Sequence, residues 1–308
     1  VSGLLVTGGA GFIGSSVVRE LLDRGHEVRV LDDLSTGYAS NLEGLDVDFV
    51  EGDVRDAAAV DAVMSGRDGV FHLAAQVGNV LSIEKPLRDM AVNAGGTLNV
   101  LEAMRAHGVS RIVYSSSAAC VGEALELPVT EAAACEPDSP YGISKLAAEK
   151  YALAYQRLYD WDVATLRYFN VYGVRQRFDA YGNVIPIFAE RIFAEKPLLI
   201  FGDGTQTRDF VNVRDIARAN VDAFEARARG VFNIATGVET TVIGLAESMN
   251  AYAPHASAIE FAPPRKGEVL KSVASVDRAR TTFGYSPSVS LEAGLAEYMA
   301  WFSADVER

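Results

Sequence analysis

Short apolar runs alternate with amphipathic stretches through the first half of the chain. Leu4-Leu5-Val6 reads as a buried strand, and after a glycine-rich turn the spacing of Ser15 to Arg24 predicts an amphipathic helix. Glu27 to Leu31, Val47 to Val50, Gly69 to Leu73 and Arg111 to Tyr114 read as the second to fifth strands. Glu84 to His107 reads as one helix with Pro86 in its first turn, and Ser139-Pro140 opens another, proline fitting the first helical position. This alternation predicts an α/β fold with a doubly wound parallel sheet of the Rossmann kind, whose ligands bind at the carboxyl ends of the strands. Beyond Gly173 the periodicity becomes irregular, which predicts a smaller mixed α/β lobe. The expected division is residues 1–169 for the first lobe and 170–308 for the second. About 209–237 should return to the first lobe, with a helix from Val213 and a strand at Val231-Phe-Asn-Ile234.

The first chemistry lies in the turn Thr7-Gly-Gly-Ala-Gly-Phe-Ile-Gly14. Gly8 permits a sharp reversal, Gly11 lets backbone approach a pyrophosphate at a helix N-terminus, and Gly14 lets helix pack closely on strand. The second strand ends in Asp32-Asp33, at the distance where a carboxylate accepts from adenosine ribose hydroxyls and repels a 2′-phosphate. NAD rather than NADP is therefore the expected cofactor. Ser35, Thr36 and Gly37 follow in a turn with hydroxyls open to the adenosine phosphate, although small residues also suit a plain loop. Asp53 with Val54 either brackets an adenine edge or caps the helix beginning near Asp56. Leu73, Ala74, Ala75 and Gln76 are small or slender enough for a cofactor to lie against backbone, while His72, inside a strand run, reads as a packed core histidine. Asn93 either orders backbone or water near the nicotinamide or is a half-buried structural amide.

Composition narrows the partners. With 308 residues, 49% of them apolar, the chain can bury a large core in two packed lobes. A net charge of −13 argues against nucleic acid or an anionic membrane surface as partner. No apolar run reaches membrane-spanning length and no basic-then-apolar leader is evident. Cys120 and Cys135 have no metal-ligand spacing, so no metal site is expected, and the cytoplasm is the expected compartment.

The second constellation is Ser115-Ser116-Ser117 at the end of the fifth strand, followed by Tyr141 and Lys145 one helical turn apart. An ammonium beside a phenol, with the positive charge of an oxidised nicotinamide, brings a group of ordinary pKa about 10 toward neutrality, where it serves as a general base. Tyr-x-x-x-Lys is common on helix surfaces; the glycine turn and the serine-ended strand give it weight.

Taken together, Thr7 to Gly14, His72 to Gln76, Ser115 to Gly122, Tyr141 to Lys145, Arg167-Tyr-Phe-Asn-Val-Tyr-Gly173, Arg208-Asp-Phe-Val211 and Pro264-Arg-Lys-Gly-Glu268 resemble the extended short-chain dehydrogenase/reductases, within them the nucleotide-sugar epimerases and dehydratases. The resemblance implies Ser117, Tyr141 and Lys145 as catalytic residues. It adds Phe12, Ile13 and Tyr168 to the cofactor site. Asn170, Asn183, Val184, Phe201, Arg208, Arg265 and Glu268, with Ser117, would hold a UDP-sugar, the two guanidiniums on the diphosphate. Dehydratases of the family carry Asp then Glu where this chain has Ala118 and Ala119, so elimination of water lacks its proton carriers. The resemblance then implies 4-epimerisation of a UDP-hexose, glucose/galactose or the N-acetylhexosamine pair, through a 4-keto intermediate, with a homodimer as relatives form and another nucleotide-sugar oxidoreductase as the alternative. Ser272, where the family limits room around C2 of the sugar, is small enough for an N-acetyl group. Val121 for the usual Tyr, Val174 for Pro, and Val77 to Val80 without the usual Ser and Arg depart from the pattern. They keep a uronate substrate open, with Arg175 and Arg177 read first as solvated loop arginines. A non-catalytic NAD-binding regulator is the alternative of another class; it would not need Tyr141 and Lys145.

Overall fold

The computed structural model describes residues 1–178, 183–264 and 270–306. Its centre is a seven-stranded sheet, parallel throughout. Its first six strands in chain order are β1 (Gly3–Thr7), β2 (Glu27–Asp32), β3 (Asp48–Glu51), β4 (Gly69–His72), β5 (Arg111–Ser117) and β6 (Asp162–Tyr168). The seventh, Gly230–Ile234, comes from far along the chain and pairs with β6 at the edge. Chain order runs outward from β1 through β2 to β3, then restarts on the other side with β4, β5, β6 and the edge strand. The reversal falls between β1 and β4, and the crevice beyond their carboxyl ends is where such sheets hold ligands.

The central strands are buried on both faces, as helix-covered parallel sheets require, while the edge strand β3 is largely exposed. Leu4 and Val6 join Val28, Val30, Phe71 and Leu166 on one face, under α1 (Phe12–Asp23) and the helix Val213–Glu225. Leu5, Leu31, Val70, Ile112 and Val163 face the other way, toward α2 (Ala57–Met64) and the helix Gly96–His107. A third core, with Phe188, Leu245 and Tyr298, joins the helices Val184–Phe193, Val242–Ala251 and Leu291–Val306 beyond the sheet.

The helix expected from Glu84 to His107 is broken into pieces. Asn79–Glu84 ends before Pro86, which begins a new short helix, Pro86–Met90, and Lys85 between them leaves the helical region at φ −134°, ψ 57°. Proline pushes its predecessor out of helical backbone and offers no N–H to continue the ladder. Ala91–Gly95 is then a wider π-turn leading into Gly96–His107, and it carries Asn93. Asp56, not Asp53, caps α2, accepting from the amides of Ala58 and Ala59.

Candidate active site

The glycine turn is held from three sides. Gly8 has φ +72°, and a Cβ there would lie 2.6 Å from the Ala74 nitrogen, so only glycine brings β1 this close to the end of β4. Asp32 is buried, one carboxylate oxygen accepting from the Ala10 amide and the other from that of Leu34, both at 2.9 Å. Burial raises its pKa, while these amides act in the opposite sense. Each oxygen retains a second lone pair for a ribose hydroxyl.

The residues fit a dinucleotide. No side chain caps α1 at Gly11, so its first-turn amides, those of Phe12 and Ile13 among them, are left for an anion. A Cβ built on Gly11 would have only the Gly8 carbonyl oxygen within 4 Å, so backbone is open to approach there. Asp33, Ser35 and Thr36 are exposed beside this turn, and the Ser35 hydroxyl donates to Asp33 at 2.6 Å. Gly37 is buried against Ala10 and Asp32. Asp53 is clamped by Arg55, whose guanidinium holds its carboxyl below the usual range, and Val54 is buried behind it.

A chain of hydrogen bonds crosses beneath the switch point. Thr97 Oγ1 donates to the Asn93 carbonyl at 2.5 Å and therefore accepts from His72 Nε2 at 2.9 Å, which leaves His72 Nδ1 to accept from Thr7 Oγ1 at 2.6 Å. Thr7 Oγ1 in turn accepts from the Ala74 amide at 3.3 Å. Desolvation first, then Lys145, pushes the imidazole down to about 3. His72 is thus a neutral core histidine that ties the ends of β1 and β4 together. Asn93, 1% exposed, exchanges two hydrogen bonds with the Gln76 backbone, at 2.8 and 3.0 Å, and donates to Ser144 Oγ at 2.9 Å. Leu73, Ala74 and Ala75 lie half-buried between these anchors.

Ser117 ends β5, and Tyr141 and Lys145 stand on the first turns of the helix Pro140–Tyr159, whose N-cap Ser139 accepts from the Gly142 amide. Ser117 lies beside Tyr141 and acts to lower the pKa of its phenol, and Ser117 Oγ accepts from the Ala119 amide at 3.2 Å. Lys145 is 2% exposed, its Nζ 4.6 Å from the centre of the Tyr114 ring. Burial pushes the Tyr141 phenol up to about 12 and the Lys145 ammonium down to about 8. Desolvation disfavours both charged forms here and outweighs any help the ammonium gives the phenolate. Behind Ser117, Ser116 Oγ donates to Glu149 at 2.7 Å, and Arg167 grips the same carboxylate through Nε at 3.0 Å and Nη2 at 2.7 Å.

The other expected residues spread outward. Ser115 and Tyr168 are buried close to one another, and the Tyr168 hydroxyl donates to Asn220 at 2.8 Å. Asn170 donates through its side chain to the Asp209 carbonyl at 3.2 Å. Arg208 is half-buried and donates to the Thr207 carbonyl at 2.8 Å. Asn183 is exposed at the head of the helix that Val184 begins, and Phe201 ends the strand Leu198–Phe201, half-buried. Arg265 and Glu268 lie outside the described residues. Arg175 is no solvated loop arginine: at φ +75° it turns back onto α1 and donates to Ser16 at 3.0 Å. The Arg177 guanidinium lies 3.9 Å from the centre of the Tyr38 ring.

Three contributors were missed from the sequence. Asp89 and Ser144 both bond Asn93, and Asp209 accepts from the Thr236 and Gly237 amides at 2.7 and 2.9 Å, tying the Arg208 segment to the loop after the edge strand. For Asp89 the available signal was an acidic residue four before Asn93 on a helical stretch. Among the described residues no cluster of His, Cys, Asp or Glu could hold a metal, and no helix is long and apolar enough to cross a membrane.

A glycine turn at the switch point, a buried carboxylate at the end of β2 and a Ser-Tyr-Lys cluster at the next strand ends mark a dinucleotide-dependent α/β protein. The chain belongs to the NAD-dependent epimerase/dehydratase family, whose model matches residues 4–235. The UDP-glucose 4-epimerase of Mycolicibacterium smegmatis is 39% identical over 97% of each chain. The crystal structure of UDP-glucose 4-epimerase from Thermotoga maritima with UDP-glucose superposes with a TM-score of 0.93, at 38% identity over 99% of both chains. A UDP-N-acetylglucosamine 4-epimerase from Methanobrevibacter ruminantium, in complex with UDP-N-acetylmuramic acid, matches with a TM-score of 0.94 at 32% identity, again over 99% of both.

Proposed function

We propose that this chain is an NAD-dependent 4-epimerase of UDP-hexoses, interconverting the glucose and galactose forms and accepting the N-acetylhexosamine pair. The observation that carries the reading is the meeting of Ser117 with Tyr141 at the carboxyl end of β5, Lys145 one turn on, and proton-inert Ala118 and Ala119 beside them. The glycine turn, Asp32 and the Asn93-braced segment from Leu73 to Gln76 would hold the cofactor. When bound, oxidised NAD supplies a hydride acceptor and a positive charge at the nicotinamide. Tyr141 takes the proton of the C4 hydroxyl and later returns it, Ser117 hydrogen-bonds the same oxygen, and Lys145 favours the phenolate. Arg208 and Asn170 would hold the diphosphate, with Arg265 and Glu268 completing the site.

Residues up to about 169 would form the cofactor lobe and the remainder the nucleotide-sugar lobe, with about 209–237 serving the first. The same reading places the enzyme in the cytoplasm as a homodimer. Ile83 and Leu87 are exposed on the short helices before Asn93, and Ile143, Tyr151 and Leu158 on the helix Pro140–Tyr159, an apolar surface suited to a second copy. Turning Arg175 onto α1 favours a neutral hexose over a uronate.

The test is incubation with UDP-glucose, UDP-N-acetylglucosamine and UDP-glucuronate separately, with products resolved by NMR. Conversion of the first two, abolished in Tyr141→Phe with cofactor still bound, is expected. No conversion of any of them by the wild type would favour the regulator.

A further inference from the structure

Asp89 is fully shut off from solvent at the end of Pro86–Met90, one turn before Asn93. Its Oδ1 accepts from Asn93 Nδ2 at 3.2 Å, and the Ser144 hydroxyl reaches both this carboxyl and the Tyr141 carbonyl. Its Oδ2 is buried without a hydrogen-bond partner among the described residues. An ionised carboxylate in such a place needs a nearby cation. The buried cations among the described residues are Arg167 and Lys145. Arg167 is committed to Glu149 by two charge-assisted bonds, and Lys145, next to the Ser144 that joins Asn93, is the other buried cation and acts on the Asp89 carboxyl.

We propose that Asp89 is a positioning residue for the reaction, the buried counter-ion that fixes the charge state of Lys145 and through it that of Tyr141. This rests on the reading of Tyr141 and Lys145 as the acid–base pair. The groups around Lys145 are few and come from every neighbouring element. They are neutral His72 from β4, Tyr114 from β5, the Cys120 thiol after it, Tyr141 and Glu149 from its own helix, Arg167 from β6 and Asp89. His72 carries no charge, Cys120 is held as a thiol by burial, and Glu149 is matched by Arg167, which leaves Asp89, its pKa raised by burial and lowered by Ser144 and Lys145, as the remaining acid acting on Lys145. Its negative charge favours the ammonium of Lys145 and opposes the phenolate of Tyr141. Its removal should therefore lower both pKa values, and both limbs of a bell-shaped kcat profile should move to lower pH. Loss of packing alone would give no such paired shift.

The experiment is a 13Cε-lysine NMR titration of the purified protein without substrate, the six lysines being few enough to resolve and Lys145→Arg identifying the signal by its loss. Asp89→Asn keeps an oxygen to accept from Asn93 and should lower the Lys145 midpoint by roughly one pH unit. Asp89→Ser, smaller and still able to accept from Asn93, gives a second reading should the amide disturb folding. An unmoved midpoint in the variants, or kcat limbs that stay in place, overturns the proposal. Because the titration needs no turnover, a wild type inactive on every nucleotide sugar sinks the proposed function and leaves this test standing. An active wild type whose Lys145 ignores Asp89 sinks this proposal alone.

Discussion

Replacing Glu149 with Gln should cost the protein stability far beyond the loss of one contact. Glu149 is 0% exposed and Arg167 1%, and the carboxylate accepts three hydrogen bonds, at 2.7 and 3.0 Å from Arg167 and at 2.7 Å from Ser116. The amide keeps one acceptor but turns an NH2 toward the guanidinium, leaving a buried cation without its partner. Breaking such a pair from one side costs about 3–5 kcal/mol, because the remaining charge stays desolvated. At about 4 kcal/mol the folded-to-unfolded ratio falls roughly a thousandfold. Urea unfolding of wild type, Glu149→Gln, Arg167→Met and the double variant measures this in one cycle. The double variant should lose much less than the sum of the singles, since removing both charges removes the stranded one. If Glu149→Gln lost under about 1 kcal/mol, the pair would not be a brace between β6 and the helix Pro140–Tyr159.

Acid should weaken the fold through His72. Its pKa is about 3 when folded against about 6.5 unfolded, so its contribution is present above pH 6.5 and lost as pH falls toward 3. Between pH 6.5 and 5 this amounts to roughly 2 kcal/mol, read as a difference in urea midpoints that His72→Gln should flatten; parallel slopes would contradict it. Gly11→Ala should leave unfolding nearly unchanged but strip NAD during purification, measured as cofactor released per chain on denaturation, because the added methyl meets only the Gly8 carbonyl, at 3.2 Å, and otherwise projects into the approach to the turn. Ser272→Tyr should impair turnover of the N-acetylated pair selectively, and equal losses on both pairs would remove the argument for room at C2.

The sheet was legible because parallel strands covered on both faces are almost wholly apolar, as Leu4-Leu5-Val6 and Gly69 to Leu73 are. The glycine turn and Asp32 were legible because their spacing follows a fixed strand–turn–helix pattern, in which Gly8 is demanded by the close approach to Ala74. β6 was not singled out, since it runs straight into the motif at Arg167 to Gly173 and carries no turn signal between. The helix before Asn93 was read as continuous; the restriction that proline places on Lys85 decided otherwise. Arg175 read as a loop arginine because nothing local announces a left-handed backbone that turns it onto α1. Asp209 was invisible because its partners, Thr236, Gly237 and Ala274, are distant in sequence, whereas Asp89 had a local signal in Asn93 four residues on but none for its burial. Spacing revealed the ammonium beside Tyr141 and not the depth of burial, which pushes the phenol up to about 12.

The central claim is that a proton moves through Tyr141 while the hydrogen on C4 of the sugar is lifted and put back without leaving the site. It is tested most directly with UDP-glucose deuterated at C4, incubated in ordinary water with no cofactor added, and product followed by NMR. The account predicts UDP-galactose that keeps its deuterium at C4. Deuterium washed into solvent, or turnover only when nicotinamide cofactor is supplied in stoichiometric amount, would contradict it.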